Sequence, residues 1–174
     1  SLECVEVGLE VDQYTYETVG SDLDDAVDWA LALLSSVDQI YRNELNNLVT
    51  LQVRFLHVWI SPDPYASVVN DGGELLSAFN SEWNNNPNFN AIPLDLKHLL
   101  TRRTNIGTGG IAYLNGLCNS YNAGVSGNLS STTNYNINNY SWNLDVVAHE
   151  IGHNCGSSHT HWCGWPGGPI DNCG

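Results

Sequence analysis

The segment from residue 142 to residue 163, WNLDVVAHEIGHNCGSSHTHWC, constrains this chain more than any other, because it contains four of the six histidines. Its apolar residues recur at intervals of three and four, which predicts an amphipathic helix beginning near Ser141. These residues are Leu144, Val147, Ala148, Ile151 and Cys155. His149 and His153 lie one turn apart on the other face of this helix. Gly156 follows, and a glycine can adopt the left-handed conformation that ends a helix and turns the chain back. That turn brings His159 towards the first two imidazoles.

The spacing of these histidines suits a catalytic zinc ion. Three neutral imidazoles leave the fourth coordination position of zinc to water and lower the pKa of that water to about 7. Glu150 follows the first histidine, where its carboxylate can take a proton from the water. A structural zinc site closes all four positions with protein ligands and needs no such glutamate. We therefore predict one Zn²⁺ bound by His149, His153 and His159, with Glu150 as the general base.

The remaining histidines are weaker candidates for ligands. His161 lies two residues beyond His159 and could replace it as the third ligand. The motif spacing favours His159 and leaves His161 on the surface beside the site. His57 and His98 lie in predicted strands, where a histidine is more often a core or edge residue than a ligand.

The five cysteines predict disulfides rather than a second metal site. Cys155, Cys163 and Cys173 are separated by eight and ten residues, which is not the CxxC spacing of a zinc ribbon. Cys4 and Cys118 are the other two, and the odd number leaves one cysteine without a partner in this chain. The pairing stays open. Disulfides form in oxidising compartments, so we expect a secreted, extracellular or periplasmic protein.

Charge and hydropathy exclude two classes of partner. Five Lys and Arg against nineteen Asp and Glu give a net charge of −14, which repels the phosphates of nucleic acids. The sequence contains no uninterrupted apolar run of the roughly 18 to 20 residues that cross a bilayer. We therefore expect neither nucleic-acid binding nor a membrane span, and the oligomeric state stays open.

The order of predicted elements favours one α/β domain. Residues 4–12 alternate as a strand, residues 21–47 carry a helical stripe, and the strand that starts at residue 49 alternates again through residue 55. A strand, a helix and a strand in succession are typical of an α/β layer. A second helix includes residues 75–83, with further strands at residues 98–101 and 110–114. The Asn-rich residues 115–143 are predicted to form a long ordered loop.

A larger motif ties these observations to a known clan. His149, Glu150, His153, Gly156 and His159 match HExxHxxGxxH. On this pattern the chain resembles the metzincin zinc endopeptidases. Residues 150–156, EIGHNCG, and residues 109–119, GGIAYLNGLCN, are similar to the reprolysin or adamalysin branch of that clan.

The resemblance implies both a fold and an activity. The fold is a metzincin-type zincin fold of the α/β (α+β) class, a twisted mixed sheet of about five strands with long helices, one of which carries HExxH. The activity is that of a secreted zinc endopeptidase, which hydrolyses peptide bonds of protein or peptide substrates with a zinc-bound water activated by Glu150. The edge strand would bind the substrate backbone through Gly110, Ile111, Ala112 and Tyr113.

The sequence departs from the family pattern in two places. Thr160 follows the third histidine, where reprolysins usually have Asp. The metzincin signature continues into a methionine-containing turn, and this chain has no methionine. We therefore expect residues 1–174 to form mainly the N-terminal subdomain of the catalytic domain, with the active-site helix and the third ligand. The C-terminal subdomain is expected to be missing.

The resemblance also raises a calcium site and leaves other functions open. Glu6 aligns with a glutamate that binds calcium in some reprolysins, and Asn105 falls where the family often has Asp. A calcium ion at these residues is a secondary expectation, because an asparagine lacks the charge that Ca²⁺ prefers. The main alternative to an endopeptidase is a binding or adhesion module that keeps the fold without cleaving. A third hypothesis is a zinc hydrolase that acts on other bonds. The intact Glu150 favours the enzyme.

Overall fold

We describe the fold from a computed structural model, which describes residues 2–68, 70–139 and 141–172. Five strands and five helices follow one another along the described chain. They are β1 (Glu3–Val11), α1 (Gln13–Val19), α2 (Leu23–Glu44), β2 (Val49–Val58), α3 (Gly72–Asn85), α4 (Pro87–Asn90), β3 (Leu96–Leu100), β4 (Gly110–Ala112), β5 (Ala123–Ser126) and α5 (Trp142–Asn154).

The strands form one mixed sheet in the order β2-β1-β3-β5-β4. Strands β2, β1, β3 and β5 run parallel to one another, and β4 pairs antiparallel with β5. The predicted α/β class with about five strands is confirmed. Strand β5 is a correction, because it lies within the predicted loop of residues 115–143. All four residues of this strand, AGVS, are buried, so its sequence lacks the alternation of apolar and polar residues that predicts a strand.

Helix α2 follows the predicted stripe and ends earlier than predicted. The side chain of Asp22 accepts hydrogen bonds from the backbone N–H groups of Asp24 and Asp25 and so caps the helix. Its buried residues face the sheet; they are Ala26, Trp29, Ala30, Leu33, Leu34 and Val37. The helix stops at Glu44 rather than at residue 47, because Asn46 and Asn47 have φ values of 51° and 57°, which a right-handed helix cannot contain.

Two hydrophobic clusters cover the two faces of the sheet. One face of β1 carries Val7, Leu9 and Val11, which pack with residues of α2 and α5. Glu10 points to the opposite face, where it bonds to Trp83 of α3. This alternation is that of a strand buried on both sides. Helices α2 and α5 therefore share one layer, and α3 lies in the other.

Helices α1 and α4 are short elements that the apolar periodicity does not predict. The side chain of Asp12 caps α1 by accepting from the N–H of Thr15. The side chain of Asn86 caps α4 in the same way, with Pro87 in its first turn. Both helices depend on their caps rather than on an apolar stripe. No helix in the described ranges has the length and apolar character needed to cross a bilayer.

The predicted disulfides are not borne out among the described cysteines. Cys4, Cys118, Cys155 and Cys163 are all free and exposed. The thiol of Cys4 donates to Gln52 Oε1 at 3.4 Å, and the thiol of Cys118 donates to Asp95 Oδ1 at 3.3 Å. These two sulfurs therefore lie against different polar side chains rather than against each other. Cys173 lies outside the described residues.

Candidate metal centre

The three predicted histidine ligands come together at one point. Helix α5 carries His149 and His153, and the Nε2 atom of His159 lies 3.3 Å and 3.1 Å from their respective Nε2 atoms. Nitrogen atoms 2.0 to 2.1 Å from a tetrahedral zinc ion stand about 3.3 Å apart. The donor set and its spacing therefore fit zinc, and the three residues form a group able to hold a metal ion.

The turn after α5 is what places the third histidine. Gly156 has a φ of +95°, in the left-handed region that the sequence predicts for it. Its N–H donates to the carbonyl of His153 at 2.9 Å, and the N–H of Ser157 donates to the carbonyl of Gly152 at 2.9 Å. These two bonds end the helix as a Schellman-type turn does. The chain then reverses and carries His159 back over α5.

The same turn orients His153. The carbonyl oxygen of Ser157 lies 2.6 Å from Nδ1 of His153. A carbonyl can only accept, so Nδ1 carries the proton and the lone pair of Nε2 points at the other histidines. Such a bond fixes the tautomer and the ring orientation of a metal-binding histidine. Ser157 is therefore a residue of the site that the sequence analysis did not identify.

Protonation also favours metal binding at this position. Burial lowers the pKa of His149, and the neighbouring His153 and His159 lower it further. The pKa of His159 is lowered by burial and then by His153 and His161. Lower pKa values keep these imidazoles neutral at pH 7, and a neutral imidazole is the form that binds a metal.

Glu150 is buried beside the histidines and lacks a partner for one of its oxygens. Its side chain faces β4, where a Cβ on Gly110 would lie only 2.6 Å from Oε1. Oε2 makes no hydrogen bond to any residue in the described part of the chain. Burial raises the pKa of Glu150 to about 7. A carboxyl group with this pKa can gain or lose a proton near neutral pH.

Strand β4 forms the exposed edge of the sheet next to the histidines. Gly110, Ile111 and Ala112 belong to it, and Tyr113 extends the pairing because its N–H donates to the carbonyl of Ala123 at 3.1 Å. The strand predicted over residues 110–114 therefore ends at Ala112 in the structure. A cleft of about 510 Å³ lies between β4 and α5, and its lining includes His149 and Glu150. Gly110, Ile111 and Ala112, three of the four residues predicted to bind substrate, therefore line this cleft, and Tyr113 follows them outside its lining.

A buried asparagine that the sequence analysis missed joins α5 to this edge. The Nδ2 atom of Asn154 donates to the carbonyls of Tyr113 and Ala123, each at 3.0 Å. The backbone adds two bonds, from the N–H of Asn115 to the carbonyl of His153 and from the N–H of Leu117 to the carbonyl of Asn154. These bonds hold the histidine-bearing helix at a set distance from β4. The burial of Asn154 is the one signal that marks it as a residue of the site, and the apolar stripe of the helix does not predict that burial.

The other histidines lie outside the group of three. The ring of His161 lies 5.1 Å from that of His159, yet His161 is not a member of that group. His98 is fully buried on β3, where its Nε2 lies 2.8 Å from Ser126 Oγ and burial lowers its pKa to about 3. His57 lies on β2 against the rings of Trp59 and Phe89. The predicted strand positions of His57 and His98 are confirmed.

Thr160, the departure from the family pattern, reaches a carboxylate elsewhere. Its hydroxyl donates to Asp171 Oδ1 at 2.8 Å, and its carbonyl accepts from the N–H of Ile170 at 2.8 Å. The indole of Trp165 donates to the carbonyl of His159 at 2.8 Å. The segment that follows the third histidine therefore folds back and braces it, with the acidic group supplied by residue 171 rather than residue 160.

The calcium expectation is not supported. Glu6 pairs with Arg54 at 3.1 Å, and Asn105 donates to Asn70 Oδ1 at 2.7 Å. Strands β1 and β3 are parallel and begin to pair at Val7 and Leu96. Glu6 precedes this pairing and Asn105 follows the end of β3, so the two residues lie at opposite ends of the strands. They cannot share one ion.

Comparison with known proteins agrees with the fold. Residues 2–167 match the Reprolysin_5 family, described as metallo-peptidase family M12. The structure is also similar to a chain in a solved structure of a chaperone–substrate complex, with a TM-score of 0.66 and 14% identity. That match covers 92% of this chain and 25% of the other, so this chain spans about a quarter of that protein's length. At this identity the likeness shows the fold alone. The family match covers nearly the whole sequence, and the chain therefore belongs to metallo-peptidase family M12, as a metzincin-like protein of the reprolysin type.

Proposed function

We propose that this chain is the catalytic part of a secreted, zinc-dependent endopeptidase. The observation that carries the proposal is the meeting of three imidazole Nε2 atoms beside Glu150, a buried carboxyl group whose Oε2 finds no partner among the described residues. Family membership supports a metallopeptidase. Residues 1–174 supply the sheet, the active-site helix and the three histidines. The cysteine content supports an oxidising, extracellular compartment.

Each residue of the site has a distinct task in this proposal. His149, His153 and His159 would hold one zinc ion, which when bound lowers the pKa of a water molecule and polarises a peptide carbonyl. Glu150 accepts the proton that the attacking water loses and returns it to the amine that leaves. Its position within the cleft and its raised pKa support that exchange.

The edge strand supplies the geometry for an extended substrate. Strand β4 pairs with β5 on one side, and no described strand lies on its other side. A peptide can add there as a further strand, with its backbone bonded to residues 110–113. Such a peptide would run past Glu150, because Gly110 is in close contact with that carboxylate. The large negative net charge disfavours a nucleic acid as substrate.

Metal content and proteolysis together test the proposal. We expect one zinc per chain by elemental analysis, and cleavage of an unfolded protein that a chelator abolishes and added zinc restores. His153→Ala should lose both the metal and the cleavage, because two imidazoles bind zinc more weakly than three. His161→Ala is the matched control and should keep the metal. Zinc bound without cleavage of any peptide or protein would favour the non-cleaving binding module instead.

A further inference from the structure

One wall of the cleft beside Glu150 is an indole ring held in a fixed orientation. Trp142 begins α5, and its Nε1 donates to the carbonyl of Gly127 at 3.1 Å. The ring lies against the backbone of Gly109, where a Cβ would come within 2.6 Å of it. Trp142 remains 36% exposed and lines the cleft. The cleft therefore has a rigid, accessible aromatic surface.

One turn further along α5, the same cleft contains the carboxylate of Asp145. The side chain is exposed and makes no hydrogen bond or ion pair to the described residues, although its charge acts to raise the pKa of His149. Residues three apart on a helix lie on the same face, so Trp142 and Asp145 border one space. An aromatic surface and an unpaired carboxylate are the two groups that bind an organic cation.

None of the chain's own lysine and arginine side chains pairs with Asp145. All five basic side chains are engaged elsewhere. Three of them form ion pairs, which are Arg42 with Asp38, Arg54 with Glu6 and Arg103 with Asp12. Lys97 donates hydrogen bonds to the side chains of Asn80 and Asn84. Arg102 donates hydrogen bonds to two backbone carbonyls. None of the five lines the cleft. A lysine or arginine side chain that pairs with Asp145 would therefore come from another molecule.

We propose that this cleft selects peptide substrates with a lysine or arginine side chain next to the bond that is cut. The methylene stem of that side chain would lie on the indole of Trp142, and its charged end would pair with Asp145. Strand β4 borders the cleft, so a peptide added to the sheet edge presents alternate side chains to it. The inference rests on the proposed function, because it names the substrate class of the same site.

Matched peptides test the selectivity. The peptides are identical except at one of the two residues that flank the cleaved bond. That residue is lysine, norleucine or glutamate, and each of the two positions is varied in turn. We expect kcat/KM for the best lysine peptide to exceed that for its norleucine counterpart roughly tenfold, and glutamate to be the poorest, since a charge-assisted hydrogen bond contributes about 1.5 kcal/mol or more. Asp145→Asn should bring the lysine and norleucine values close together. Asp28→Asn, an exposed carboxylate on α2, is the matched control and should keep the preference.

A binding measurement separates this inference from the proposed function. Glu150→Gln keeps the cleft and the histidines, so calorimetry on that variant reports affinity without turnover. Tighter binding of the lysine peptide than of the norleucine peptide, lost in Glu150→Gln combined with Asp145→Asn, supports the selectivity even if the wild type cleaves nothing. Equal binding and equal cleavage of the two peptides would overturn the selectivity while leaving the peptidase intact.

Discussion

Glu10 and Glu150 are both buried carboxyl groups, and burial raises the pKa of each to about 7. Their surroundings differ. Glu10 accepts hydrogen bonds from the indole N–H groups of Trp59 and Trp83 and from the hydroxyl of Tyr65. Glu150 has one oxygen without a donor in the described chain and lies beside the candidate metal centre. Glu10 therefore holds the sheet to α3 through its bond with Trp83, whereas Glu150 is placed to exchange a proton.

The raised pKa of Glu10 predicts a pH dependence of stability. In the folded chain Glu10 holds its proton up to a pKa of about 7, against 4.5 for the ordinary side chain. Its contribution is therefore fully present below pH 4.5 and is lost as the pH rises through 7. We expect the free energy of unfolding of the wild type to fall by about 3 kcal/mol relative to Glu10→Gln between pH 4.5 and pH 8.

Denaturant titrations at several pH values check this prediction. The exposed Glu74→Gln is the control, and its stability should run parallel to that of the wild type. A constant difference between the wild type and Glu10→Gln across this range would show that Glu10 ionises in the folded chain as an ordinary glutamate does.

At the scale of elements, the end of α5 determines whether three histidines can meet. Gly156 takes a left-handed φ of +95°, and a Cβ there would lie 3.2 Å from Asn115 Oδ1. Gly152 lies four residues earlier, within α5, where the nearest atom to an added Cβ is 3.6 Å away. The two glycines therefore lie close together in the chain, but only Gly156 requires the positive φ that alanine resists.

Substituting these glycines tests the turn. Gly156→Ala should destabilise the chain by about 1 kcal/mol and weaken zinc binding, because an alanine resists a positive φ and shifts His159. Gly152→Ala should leave zinc binding unchanged and be neutral or stabilising, since alanine favours a helix. Competition with a zinc-sensitive dye measures both affinities. Equal zinc affinity in the two variants would contradict the role assigned to the turn.

The sequence predicts those parts of the site that follow from local rules. The spacing of His149 and His153, and the glycine that turns the chain towards His159, depend on helix geometry alone. Asn154 and Trp142 take their roles from residues in or next to β4 and β5, which lie earlier in the chain. Tertiary contacts of this kind have no periodic signal. Strand β5 escapes prediction for the same reason, whereas α1 and α4 escape it because they rest on local caps and carry no apolar stripe.

At the scale of the whole molecule, the sheet brings one helix and one edge strand to the same place. Strand β4 runs antiparallel to the other four strands, and among the described strands only β5 pairs with it, so its outer side is open next to α5. Asn154 and the backbone bonds of Asn115 and Leu117 fix the gap between them. The α/β class follows from the strand–helix–strand order of the first sixty residues. The calcium expectation is not supported, because Glu6 and Asn105 lie at opposite ends of the paired strands β1 and β3.

We propose that Glu150 moves a proton during peptide hydrolysis at a zinc centre. The most direct test of this proposal is zinc content and peptide cleavage measured on the same samples of wild type and Glu150→Gln. We predict equal zinc in both and a loss of at least about a hundredfold in kcat for the variant, the scale on which a general base contributes. Equal cleavage by Glu150→Gln with its zinc in place would contradict the account.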